Sequence, residues 1–361
     1  MFLEFLYPLT KYLTVFNVFQ YITLRGAYAA LTTLVLCFLL GQPIIRKLAA
    51  LKCRQTIRAD GPATHLAKGG TPTMGGVMII LSVTVSMLLW QNFHNSRVWV
   101  TMIAFLLFGL IGFIDDYLKI RGHNADGLSP KGKLVLQCIA AAVIAGYLLM
   151  TGDEKTTALY IPFFKNPVAD LGYWWAPFAV LLIVGESNAV NLSDGLDGLA
   201  TGLLIFMFIT LAILTYLSGR QDYSSYLGIP YIPGAGELTV FCLAGVGACV
   251  GHLWYNAHPA EVFMGDVGSL SLGGVIAVIS LIIKKEILIL IAGGVFVLEA
   301  ASVIIQVVVY KWKKKRVFRM APLHHHYEQG EKGLPETKIV IRFWILGGLF
   351  AIIALSTLKI Q

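Results

Sequence analysis

VWVTMIAFLLFGLIGFIDD (residues 98–116) is an apolar run long enough to cross the hydrocarbon of a bilayer, and it closes on two adjacent carboxylates, Asp115 and Asp116. Such runs of about 17 to 23 residues recur at 21–41, 73–91, 98–114, 134–151, 173–190, 199–217, 237–255, 268–283, 287–310 and 339–358. Composition agrees. The 361 residues are 57% hydrophobic and 13% charged, with a mean hydropathy of +0.73, whereas roughly a quarter of the residues in soluble domains are charged. Strands of a membrane barrel would alternate apolar and polar residues, and these runs are continuously apolar. The chain therefore reads as an all-α polytopic membrane protein with about ten transmembrane helices, residues 1–361 forming a single integral-membrane domain without repeats or low-complexity tracts.

The first twenty residues carry Glu4, Pro8 and Lys11 among aromatics. They lack the basic start and small-residue cleavage site of a signal peptide, so they read as an interfacial segment. Most of the 28 basic residues fall on one side if the segment after the first helix faces the cytoplasm. Its loops then hold Arg46–Lys68, Lys119–Lys133 and Lys311–Arg342, and both termini face outward, to the periplasm. The net charge of +8 would meet anionic headgroups and phosphorylated cytosolic substrates there. The outward segments 152–172 and 218–236 read as small packed turns or a periplasmic hairpin.

Five aspartates mark the inner helix ends. Carboxylates at bilayer depth are costly, and their default reading is a functional site. Asp115 and Asp116 are about 100° apart on a helix, cannot both point straight at one atom, and should have different roles. NAVNLSDGLDGLA (188–200) spaces Asn188, Asn191, Asp194 and Asp197 by three, which offers amides and carboxylates on one side to a nucleotide or hydrated cation. FMGDVGSLSLGG (263–274) puts Asp266 at a helix start, where N–H groups gather anions. An N-cap or turn role is the plain alternative for each stretch. His324, His325 and His326 follow Ala-Pro and read as loop imidazoles that donate hydrogen bonds to phosphate oxygens; three consecutive residues rarely reach one tetrahedral ion. Lys68, Lys131 and Lys133 border the same face, either as ordinary interfacial lysines or as phosphate counter-charges. The five cysteines form no C-x-x-C pair, and no G-x-x-x-x-G-K-[ST] loop is present.

HLAKGGTPTMGG (65–76), FIDDY (113–117), NAVNLSDGLDGLA, FMGDVGSLSLGG and RMAPLHHHYE (319–328) together resemble the phospho-N-acetylmuramoyl-pentapeptide-transferase family, within the polyprenyl-phosphate N-acetylhexosamine-1-phosphate transferases, nearly end to end. The resemblance implies ten transmembrane helices, a Mg²⁺-dependent phosphoglycosyl transferase, a cleft on the cytoplasmic face of the bacterial inner membrane, and a homodimer. The implied reaction moves phospho-MurNAc-pentapeptide from UDP-MurNAc-pentapeptide to undecaprenyl phosphate, giving lipid I and UMP, among membrane lipids and with no nucleic-acid partner. It assigns catalytic roles to Asp115, Asp116 and Asp266, with Asp266 as magnesium ligand. Lys68, Lys133, Asn188, Asn191, Asp194, Asp197, Asn256, Phe263, His324, His325 and His326 match positions at or near the substrate. Glu186, His252, His258 and Glu261 depart from the family pattern, none as a motif ligand. A sister transferase using UDP-GlcNAc or another UDP-HexNAc, an ion-coupled transporter and a membrane scaffold are the competing readings; the transporter expects mid-membrane charges and inverted repeats.

Overall fold

The computed structural model describes residues 7–51, 70–122, 127–153, 155–329 and 333–359. Among them nine helices are long and apolar enough to cross a membrane. These are α1 (Ile22–Ala50), α3 (Ser96–Gly122), α4 (Pro130–Thr151), α5 (Trp175–Ser193), α6 (Leu199–Ser218), α8 (Leu238–Asn256), α9 (Gly265–Ile282), α11 (Gly294–Lys313) and α13 (Glu336–Ser356). The expected tenth, α2 (Gly76–Trp90), has 15 residues and spans roughly 22 Å. Its first turn is drawn into backbone pairing instead: Gly75 and Gly76 donate to the Phe263 and Met264 carbonyls at 2.8 Å, and Phe263 donates to Pro72 O at 2.9 Å. Shorter helices are α7 (Gln221–Leu227), α10 (Glu286–Ala292) and α12 (Leu323–Glu328). The hairpin expected in 152–172 is a two-stranded antiparallel ladder, β1 (Ala158–Leu159) with β2 (Ala169–Asp170), whereas 218–236 contains the short helix α7.

Several boundaries differ from the sequence reading. Helix α1 runs through Pro43 to Ala50, so the first inner loop starts later than residue 42; membrane helices accommodate proline where neighbours satisfy the freed carbonyl. Helix α3 continues to Gly122, which puts Asp115 and Asp116 inside it rather than at its end. The expected span 287–310 is divided into α10 and α11 around Gly293. The histidine triplet lies on the single helical turns of α12, behind Pro322, not in an irregular loop.

Burial orders the bundle around α9, whose span is 94% buried against 22% to 33% for α1, α4, α11 and α13. Small residues Gly268, Ser269, Ser271, Gly273 and Gly274 allow that position, because helices in lipid associate through close packing rather than a hydrophobic drive. Helix α9 packs chiefly on α3 and α5, and α8 bridges α1 and α6. Ser271 Oγ donates to Phe105 O (2.6 Å) and Ser187 Oγ to Leu270 O (3.1 Å), tying α3 and α5 to the centre. The start of α9 meets α3 near its end, the end of α5 and the starts of α2 and α4, with the Asp197 turn and the start of α13 at the same end; α1 begins and α13 ends at the opposite side.

Candidate active site

One carboxylate oxygen from each of Asp115, Asp116 and Asp266 lies within 4.8 Å of the others, and all three residues are buried. The adjacent pair therefore does bring one oxygen each to the same place as Asp266. Their second oxygens go different ways. Asp115 Oδ1 accepts the Leu128 N–H at 2.8 Å, holding the α3–α4 connection, while Asp116 Oδ2 accepts the Val267 N–H at 3.2 Å in the first turn of α9. Asp116 thus caps the helix that carries Asp266. Close approach of α3 makes this reach feasible: a Cβ at Gly112 would overlap the Asp266 carbonyl.

Two ammonium groups sit in this cage. Lys119 Nζ is 2.6 Å from Asp115 Oδ2, 2.7 Å from Asp266 Oδ2 and 3.5 Å from Asp116 Oδ1. Lys133 Nζ is 2.7 Å from Asp266 Oδ2 and 3.5 Å from Asp115 Oδ2. Asn191 Nδ2 donates to Asp266 Oδ1 at 2.6 Å and to Ser269 Oγ at 2.8 Å, so it orients the carboxylate from α5. Asp194, just past α5, also belongs here. Burial and the nearby Asp266 charge raise its pKa to about 7, opposed by the Gly265 N–H.

The other candidate residues separate from the cage. Asn188 donates to Gln137 Oε1 (2.7 Å) and Val184 O (2.8 Å), linking α5 to α4. Asn256 is buried, accepting from Gly198 N (3.1 Å) and Thr201 Oγ1 (2.9 Å) and donating to Val262 O (2.9 Å). It shapes the wall around the Asp197 turn. Phe263 contributes its backbone to the α2 pairing already described. Asp197 turns away to a second cluster, where Oδ2 meets His258 Nδ1 at 3.0 Å and the Ala260 N–H at 3.1 Å, with Glu336 Oε2 3.7 Å from His258 Nδ1. The five aspartates thus share one end of the bundle but not one ion. Lys68 lies outside the described residues.

The histidines divide as well. His324 is fully buried, its Nδ1 3.2 Å from Glu299 Oε2 on α11, and its ring packs beneath Gly195, where a Cβ would collide with it. His325 Nδ1 is 3.0 Å from Glu328 Oε2, and His326 Nδ1 accepts the Arg319 N–H at 3.1 Å. Of the family departures, Glu186 and His252 are buried within the bundle, His258 joins the Asp197 cluster, and Glu261 accepts from Gln42 at 3.0 Å. Sequence reasoning counted Lys119 only among the inner-loop bases and missed Glu299 and Glu336. The Lys119 signal was available, since it follows Asp115 by four residues on one helix.

A sequence model described as glycosyl transferase family 4 matches residues 98–284, the segment that runs from α3 into the end of α9 and carries every cage carboxylate. The class is therefore a membrane-embedded family 4 glycosyl transferase. Proteins named phospho-N-acetylmuramoyl-pentapeptide-transferase align over almost the whole chain: 51% identity over 356 residues in Citrifermentans bemidjiense and 52% over 360 in Thermodesulfovibrio yellowstonii, each covering 99% of both chains. The protein of that name from Desulforapulum autotrophicum is 50% identical over 363 residues and covers 100% of both. At such identity and coverage, the chain belongs to the phospho-N-acetylmuramoyl-pentapeptide-transferase family.

The cage chemistry fits a divalent metal. Its donors are three carboxylates, the oxygen set that hard cations prefer, and positive charge already gathers there in the two ammonium groups.

Proposed function

We propose that this chain transfers phospho-MurNAc-pentapeptide from its UDP carrier to undecaprenyl phosphate, releasing UMP and forming lipid I, at a Mg²⁺ site built by Asp115, Asp116 and Asp266. The observation that carries this reading is the convergence of those three carboxylates, with Lys119 and Lys133, at one end of the bundle. An oxygen of the lipid phosphate attacks the sugar-linked phosphorus; the bond from that phosphorus to UMP breaks and a new diphosphate bond forms. Two anions have to meet, so charge neutralisation and alignment dominate the barrier. Bound magnesium supplies neutralising charge to the diphosphate.

Asp115 orients the lipid phosphate, or takes its proton, from the oxygen that faces the cage. Asn191 fixes the direction of Asp266, and Asp116 holds the first turn of α9 in place. Lys133 neutralises phosphate charge, and Asp194 with the Asp197 turn faces the nucleotide. Asn188, Asn256, Phe263, His325 and His326 complete or support the substrate walls.

The site faces the cytoplasm of the inner membrane and both termini face the periplasm, a topology supported by the lysine- and arginine-rich connections at the site end. The 361 residues work as one domain, and the enzyme is a homodimer. Release of UMP from UDP-MurNAc-pentapeptide, with undecaprenyl phosphate and with or without magnesium, tests the reaction. Dependence on both the lipid phosphate and the metal is expected, and UMP release that needs neither would defeat the proposal. Lys359→Cys, at an exposed position near the C-terminal end, should react with a membrane-impermeant maleimide from the periplasmic side.

A further inference from the structure

We propose that Lys119 is the displaceable counter-cation of the carboxylate cage: its ammonium and the divalent ion compete for the same oxygens, so metal binding has to drive the lysine out. The inference rests on the metal reading above and concerns a residue outside the family motifs.

Lys119 Nζ reaches all three cage residues, at 2.6 Å, 2.7 Å and 3.5 Å, whereas Lys133 reaches two. A magnesium ion sits about 2.0–2.1 Å from its oxygens. An ammonium nitrogen 2.6 and 2.7 Å from two of the same carboxylates occupies the volume that ion requires. Charge leads to the same exclusion. Three carboxylates and two ammonium groups leave a small negative excess, and a dication added beside both lysines would invert it in a confined space.

Lys119 is the cation positioned to leave. Its side chain is 34% exposed against 17% for Lys133, and its flexible stem leaves α3 one turn after Asp115, toward the mouth. Once out, the ammonium remains tethered beside the cage, where a diphosphate would bring its oxygens. Metal and phosphate binding thereby become linked: the phosphate gives the displaced lysine a new partner, and the lysine suppresses metal capture when phosphate is absent.

Mn²⁺ binding to the purified full chain, read from the free-ion EPR signal without substrate, tests this. Lys119→Gln should bind Mn²⁺ about tenfold more tightly than the parent, as expected when a partly exposed competing ion pair is removed. Lys119→Arg keeps the competing charge and should stay near the parent, as should Lys131→Gln, which alters an exposed charge outside the cage. Unchanged or weaker binding in Lys119→Gln would overturn the inference. So would equal tightening in Lys119→Arg or Lys131→Gln, the latter pointing to the general field. Loss of Mn²⁺ binding in Asp266→Asn ties the signal to the cage; absence of Mn²⁺ binding in both the parent and Lys119→Gln would defeat the metal reading itself, a different failure from a Lys119→Gln that binds no more tightly than a binding parent. Independently of any variant, Mg²⁺ should increase acylation of Lys119 in the unaltered protein, measured by mass spectrometry. Equal or lower labelling would count against displacement.

Discussion

Asp266 is held by four neighbours at once: two ammonium groups, the Asn191 amide and the first turn of its own helix. Removing its charge while keeping its shape should therefore affect chemistry more than folding. Asp266→Asn is expected to lower turnover by about a thousandfold or more, the scale of losing a preorganised charge at a reacting phosphoryl group. UMP release together with a near-parental melting temperature checks this. Asp115→Asn should also abolish turnover, and its retained Leu128 contact predicts that the α3–α4 connection survives. Gly195→Ala brings a Cβ into the His324 imidazole. An overpacking cost of about 1–3 kcal/mol is expected, with a raised KM for the nucleotide substrate because Asp194 precedes the disturbed turn.

At the scale of elements, the site depends on how closely helices approach one another. Helix α3 lies against the α9 start at Gly112, and Gly112→Ala should cost about 1–3 kcal/mol while spreading the cage; reduced thermal stability together with weakened Mn²⁺ binding is the expected pair of results. The α11–α12 tie runs through Glu299, whose carboxylate accepts the His324 backbone N–H at 3.2 Å and lies 3.2 Å from the His324 Nδ1, both residues being buried. Glu299→Gln weakens this buried contact and should destabilise the protein by about 1–3 kcal/mol, visible as a lowered melting temperature in detergent. A variant as stable as the parent would show that α12 is held by its apolar contacts alone.

Across the whole molecule, a second group of ion pairs lies at the end of the bundle away from the carboxylate cage. Opposite the active site, Lys284 Nζ lies 2.8 Å from Glu286 Oε1 and donates to Thr156 O at 2.6 Å, which pins the hairpin segment to the end of α9. Beside it, burial lowers the Lys285 pKa to about 8, with the Glu286 charge acting the other way. An unfolded lysine keeps its proton up to about pH 10.4. Between those values the unfolded chain holds more protons, so this group makes stability rise with pH across about 8 to 10.4 and leaves its full penalty in place below 8. Thermal unfolding from pH 7 to 10 should show that slope, and Lys285→Met should remove it while raising stability at neutral pH.

The sequence by itself determined the class of the fold and assigned the five aspartates to one end of the bundle, because hydrocarbon thickness fixes the length of an apolar run and the cost of charge restricts where carboxylates survive. Ten apolar runs were legible on that basis, as was a shared site for all five aspartates, of which the structure keeps Asp115, Asp116 and Asp266 together with Asp194 near them. Tertiary structure decided the rest. It sent Asp197 to His258 and Glu336, turned Asn188 toward Gln137, buried His324 against Glu299 and brought Lys119 into the cage. Spacing along one helix places a residue on a face, but the partner it meets there comes from helices distant in the chain, and only their packing selects it.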